Sequence, residues 1–198
     1  GTGRIIGFEA LMRMRHPRKG LLSPAAIINV AEETGSIGHI GEQIFEDAIA
    51  NLARVSRLPG LNETYVAVNF SPLQFDGHLA PHIAGILNRY DVHPSRLVVE
   101  ITEAVLMHDN PESRTILAEL QAFGCRIALD DCGTGYSSLS YMSRFPVDIV
   151  KIDQSFSRSL DQNGEIGRKN KMLIEGITAI SRKMNCKVVA EGVETSQQ

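Results

Sequence analysis

Six short apolar runs in this chain end on residues that hold hard cations or move protons. IIGF precedes Glu9, YVAV precedes Asn69, LVV precedes Glu100, RIAL precedes Asp130 and Asp131, DIV precedes Lys151, and KVVA precedes Glu191. If these runs are neighbouring parallel strands, their C-terminal ends bring five carboxylates, one amide and one ammonium to a common mouth. Carboxylates repel one another and seldom crowd together without a counter-charge. Oxygen donors of this kind suit Mg²⁺ or Mn²⁺. The adjacent pair Asp130–Asp131 would let one carboxylate bridge two ions while the other holds the second ion alone. Two ions about 3.5–4 Å apart form the usual clamp for in-line displacement at phosphorus. Lys151, set among acids, would orient the attacking water or help to deprotonate it. A lone acid after a strand is ordinarily a helix cap or a solvated loop residue; the recurrence in phase is what points to a site.

The elements that must position these residues are legible in the spacing. Continuous apolar runs suit strands buried on both faces, as in a parallel sheet. Between them, residues 24–33 predict a helix with Ser23 as N-cap, Pro24 in the first position and Gly35 as the stop. Residues 40–55 place Ile40, Ile44, Phe45, Ala48, Ile49 and Leu52 on one helical face. Segments 78–89, 112–123 and 165–184 also favour helix. The result is a βα rhythm whose first step is long enough for two helices. An open doubly wound sheet gathers ligand groups at one switch point, whereas here nearly every strand contributes one, as catalytic barrels do. The expected class is therefore α/β, a TIM-type barrel, formed by a single domain over 1–198.

Composition narrows the partners. The 198 residues are 43% apolar and 22% charged, with no linker or low-complexity tract, the makeup of one globular domain. A net charge of −3 and a pI near 6.1 supply no positive field for a nucleic-acid polymer or an anionic membrane. No apolar stretch reaches membrane-spanning length. Three cysteines, Cys125, Cys132 and Cys186, without a CxxC pair, fit reduced thiols and a cytoplasmic setting.

Weaker signals stand beside the main one. His78 and His82 have helical spacing, but Pro81 intervenes and no third zinc ligand accompanies them. Gly133 and Gly135 form a GxG without the rest of a nucleotide fingerprint, so a flexible turn carrying Asp131 is expected there. Cys132 reads as a packing residue. An enolase-like barrel, with carboxylates on Mg²⁺ and a lysine base, fits the spacing but makes no use of the DD pair and its GTG turn.

The motifs now assemble into a resemblance. GFEALMR, HP..G at 16–20, AEETG at 31–35, VNFSPLQF at 68–75, EITE at 100–103, DDCGTGYSSL at 130–139, VKID at 150–153 and AEGVET at 190–195 occur in the order of EAL domains, and the chain resembles that family from end to end. The resemblance implies a barrel with one reversed strand that cleaves cyclic di-GMP to linear pGpG with two divalent ions, Mg²⁺ or Mn²⁺. It implies Glu9, Asn69, Glu100 and Asp130 as ligands of one ion, and Asp130, Asp131 and Glu191 as ligands of the other. Lys151 matches the lysine of the nucleophilic water, Arg13 the arginine that contacts a ligand phosphate, and Leu11 a pocket residue. Glu103 matches the glutamate that steadies the DDxGTG loop, which also shapes the family's dimer contact; Glu194 matches a carboxylate behind the ligands. Linked sensory or GGDEF domains are expected outside this chain, and with them the possibility of a cytoplasmic module on a membrane protein.

The departures are Met14, where an aromatic residue is usual, and Cys132, where phenylalanine is usual. The family's opening strand is expected before Gly1 and its closing strand after Gln198, so the barrel is read as lacking its first and last strands. A non-catalytic cyclic di-GMP receptor, or a domain that regulates through its DDCGTG loop, is the competing functional reading.

Overall fold

In the computed structural model, residues 3–107, 111–133, 144–160, 164–195 and 198 are described, without the side chains of 25 and 26. Six strands form one parallel sheet: β1 (Gly7–Ala10), β4 (Tyr65–Asn69), β5 (Leu97–Ile101), β6 (Arg126–Cys132), β7 (Ile149–Ile152) and β8 (Lys187–Ala190). They lie side by side in chain order. The register sets Glu9 beside Ala67, Asn69 beside Glu100, Glu100 beside Ala128, and Lys151 beside Val189. Because the side-chain period of a strand is two, this register sends one alternate set of residues to each face.

One face of the sheet carries Val66, Val68, Leu97, Val99, Ile101, Ile127, Leu129, Val150 and Ile152, which join the helices in the main core. The other carries the smaller set Ala67, Val98, Ala128 and Ile149, with Tyr65 and Val189 packed against it. The strands are thus apolar on both sides, as the unbroken runs require. Small residues on the second face leave room there, and the polar strand ends close over it.

The helices that cover the first face follow their apolar periods. α1 spans Ala25–Glu33 and α2 spans Ile37–Val55, so the first crossover does hold two helices. α2 buries Ile37, Phe45, Ala48, Ile49 and Leu52, each such large apolar side chain contributing roughly 1.5–3 kcal/mol. Its start at Ile37, earlier than the sequence pattern predicts, brings one more apolar residue into the core. α3 (Leu79–Arg89) buries Leu79, Ile83, Ile86 and Leu87. α4 (Glu103–Met107) is a single short turn after β5. α5 (Pro111–Phe123) buries Ile116, Leu117 and Leu120. α6 (Gln154–Arg158) follows β7 directly, and α7 (Glu165–Lys183) leads to β8.

Two local expectations are corrected. Ser23 does not cap α1: Pro24 occupies the N-cap with helical φ and ψ and no side-chain cap bond is made. Proline's fixed φ is already helical, and the serine stands one residue too far out. The segment between β1 and α1, unassigned from sequence, forms an antiparallel hairpin of β2 (Met14–His16) and β3 (Gly20–Leu22). The three cysteines are buried. Among the described residues no helix is long and apolar enough to cross a membrane.

Candidate active site

The strand ends do converge, and Lys151 is their centre. Its Nζ lies 2.7 Å from Glu191 Oε1, 2.9 Å from Glu100 Oε1, 3.2 Å from Asp130 Oδ1 and 3.6 Å from Glu9 Oε2. The residue is only 5% exposed and Glu100 only 2%. Glu191 and Glu100 grip the ammonium at hydrogen-bonding distance, and their charge adds to the hold. Burial works against the Lys151 charge, and Glu100, Glu191 and Asp130 outweigh it, holding the ammonium well above the ordinary lysine range. Burial likewise pushes the Glu100 carboxyl up to about 7 although Lys151 pulls the other way. Glu191 is raised by burial against the same pull, and Asp131 by burial and by the neighbouring Asp130.

Asn69 ties the other side together. Its Nδ2 donates to Glu9 Oε1 and to Glu100 Oε2, both at 3.0 Å. The Glu9 side chain is a third exposed at the rim, so the cluster grades from a dry centre to a wet edge.

Asp130 and Asp131 reach the same mouth by a device that alternation alone would forbid. In a regular strand two consecutive side chains point to opposite faces. Here the pairing of β6 with β7 slips between Leu129 and Cys132, and Asp131 adopts φ 54°. The bulge turns the second carboxylate back toward the first, and Asp131 N–H donates to Asp130 Oδ1 at 3.0 Å. The flexible turn expected for Asp131 is therefore a bulge with a left-handed residue. Thr134 and Gly135, the last two residues of the expected DDCGTG dimer loop, lie outside the described residues.

Two groups of carboxylates have oxygens close enough to share an ion. Glu9, Glu100 and Asp130 make one; Asp130, Asp131 and Glu191 make the other; within each group the atoms lie within 4.8 Å of one another. Asp130 belongs to both. Five acids against one buried lysine leave negative charge uncompensated, and the donors are all hard oxygens, so the chemistry of the set fits Mg²⁺ or Mn²⁺.

The cluster lies in a cleft of about 540 Å³ lined by Glu9, Leu11, Glu100, Asp130, Lys151 and Glu191, with Ala67, Val98 and Ala128 on its floor. Gln154 also lines this cleft; the sequence reading missed it, although its place one residue after VKID was a usable signal. The remaining expected residues stand further off. Arg13 is exposed, donates to Met12 O at 2.7 Å and lines a groove with Asp47 and Asn51 of α2, a groove that Glu9 also lines, and it does not line the cleft of the carboxylate cluster. Glu103 opens α4, and its charge is felt at Asp131. Glu194 is exposed beyond β8.

Comparison with known proteins supplies the family. The model of the EAL domain matches residues 1–198. The chain belongs to the EAL domain family. It is 40% identical over 198 residues to the bifunctional diguanylate cyclase/cyclic di-GMP phosphodiesterase MucR of Pseudomonas aeruginosa, covering all of this chain and 28% of that protein. The structure of the PaMucR phosphodiesterase in complex with c-di-GMP superposes with a TM-score of 0.89 at 39% identity, over 98% of this chain and 77% of that one. The EAL enzyme Bd1971, in its cAMP- and cyclic-di-GMP-bound form, gives 0.90 at 26% identity, over 99% of this chain and 53% of that one. The curled six-stranded parallel sheet is thus the barrel-type sheet of EAL domains. The chain spans little more than a quarter of the length of MucR.

Proposed function

We propose that this chain binds cyclic di-GMP and hydrolyses one of its phosphodiester bonds to give linear pGpG, with two divalent ions, Mg²⁺ or Mn²⁺, held at the strand ends. The carrying observation is the position of Asp130 in both carboxylate groups, which is what a pair of ions sharing one bridging ligand requires. Glu9, Asn69, Glu100 and Asp130 would hold the first ion; Asp130, Asp131 and Glu191 the second. When bound, the ions supply Lewis-acid polarisation of the phosphate and a water acidic enough to attack it.

The chain's own residues divide the remaining work. Lys151, held protonated by the acids around it, is a donor, which supports orienting the nucleophilic water over deprotonating it. Leu11 and the small apolar floor exclude bulk water from one side of the cleft, strengthening every charge interaction inside. Arg13 would need to swing from its groove beside α2 to meet a ligand phosphate. Because the chain covers a fraction of MucR, linked sensory or GGDEF domains, a homodimer through the DDCGTG loop and a cytoplasmic location belong to the same proposal.

The test is to incubate the chain with cyclic di-GMP and Mg²⁺ or Mn²⁺ and to follow pGpG by chromatography. Product is expected with metal and none with EDTA. Glu9→Ala should abolish product while leaving the fold intact, since Glu9 sits at the rim. Tight binding without product, with metal in excess, would reject hydrolysis and leave the receptor reading.

A further inference from the structure

The turn that follows Asn69 is held more firmly than a turn needs to be. Ser71 is extended and caps a single helical turn, Pro72–Gln74. Its Oγ accepts from Leu73 N–H at 3.3 Å, and its own N–H donates to Gln74 Oε1 at 2.9 Å. This reciprocal arrangement satisfies the turn by itself. The Ser71 hydroxyl proton is left over, and it goes to Glu32 Oε1 of α1 at 2.7 Å, a short charge-assisted bond. On the other side, the Gln74 amide lies directly over Gly41 of α2, where any Cβ would collide with it.

Glu32 is the unusual member. It is half-buried in the wall of a cavity of about 410 Å³ shared with Ile28, Ile37, Ile44 and Phe70, and it has no ion-pair partner among the described residues. A carboxylate gains by facing water unless a bond repays its burial. Here that bond is to Ser71, two residues after Asn69. The residue between them is fixed as well: Phe70 N–H donates to Glu100 O at 3.0 Å, and its ring packs 5.8 Å from Phe45 of α2. α1 and α2 contribute nothing to the carboxylate cluster, yet both clasp the segment carrying its one amide.

We propose that Glu32 and Ser71 form a latch that positions Asn69, so that α1 sets the aim of an amide ligand it never touches. Both are positioning residues, acting through Asn69, and the assignment rests on the reading of Asn69 as a ligand of the first ion. Without the latch the turn keeps its cap, but its tie to α1 is gone and the Asn69 amide samples a wider range of orientations. Partners one layer behind a metal ligand are worth roughly 10–100-fold in metal affinity.

The test is Mn²⁺ titration of the full chain by calorimetry, with bound Mn²⁺ followed by electron paramagnetic resonance and the thermal melting of the metal-free protein recorded alongside. Ser71→Ala and Glu32→Gln should each weaken the tighter Mn²⁺ site about tenfold with little change in melting, and Ser71→Thr, which restores the hydroxyl, should recover it. Parent-like Mn²⁺ affinity in both variants, beside a loss in Asn69→Ala, overturns the latch alone. Weakened affinity that merely tracks a lowered melting temperature, and that Ser71→Thr does not rescue, also overturns it. Failure of the parent protein to bind Mn²⁺ overturns the metal reading, and the latch with it.

Discussion

Lys151 stands where four carboxylates meet, and its removal should show how much of the site's integrity it carries. Taking one partner from a buried ionic cluster costs roughly 3–5 kcal/mol because the remaining charges stay buried. Lys151→Met is therefore expected to lower the urea midpoint sharply in EDTA, with much of the loss recovered in Mn²⁺. pH gives an independent handle. With Glu100 raised to about 7 from an ordinary 4.5, the folded state binds more protons than the unfolded state between those values. Stability from this group is full below about 4.5 and lost as pH rises through about 7. Glu191 and Asp131 are shifted the same way. The metal-free protein should melt several degrees lower at pH 7.5 than at pH 5.5, and saturating Mg²⁺ should shrink that difference. Most of the cluster was legible because acids at the ends of apolar runs carry their own phase. Asp131 was legible as a residue but not as a geometry, since a bulge and a left-handed φ leave no trace in hydrophobic alternation. Glu32 and Ser71 were invisible as a pair, because nothing local links residues on α1 and after β4.

At the level of elements, α6 is the support for two carboxylate-bearing segments. A Cβ on Gly133, at φ 104°, would come within 2.9 Å of the Phe156 ring, and one on Gly192, at φ 63°, within 2.7 Å of Gln154 Cβ. Both glycines follow within two residues of a carboxylate, Asp131 and Glu191, and both combine a left-handed backbone with close approach. Gly133→Ala and Gly192→Ala should each destabilise by roughly 1–3 kcal/mol, from backbone strain and overpacking together, measured by denaturant unfolding. The long helices were predictable because α2, α3 and α5 repeat their apolar residues at helical period over several turns. The β2–β3 hairpin was not, since three-residue strands exposed along most of their length show no period. Ser23 misled because a serine before a proline reads as a cap from sequence, whereas Pro24 itself took that position.

For the whole molecule, the sheet's two outer strands matter most. Among the described residues β1 pairs only with β4 and β8 only with β7, so each offers one unpaired edge, a template for association with another chain. Association through these edges is expected to show in light scattering as an apparent mass that rises with protein concentration. The fold class was open to the sequence because strand, helix and polar strand end recurred together; the curvature of the sheet was not, since it arises from twist and from small residues on one face. The strand order has a kinetic side. Every strand pairs with the next strand of the sheet in chain order, so the sheet can zip outward from any adjacent pair at modest loop-closure cost. The cluster cannot be assembled that way in part: its first acid lies in β1 and its last follows β8, and both lie within ion-pair reach of the same lysine. Tight metal binding should therefore be among the last properties a refolding chain acquires, making a bound ion a reporter that every strand has arrived.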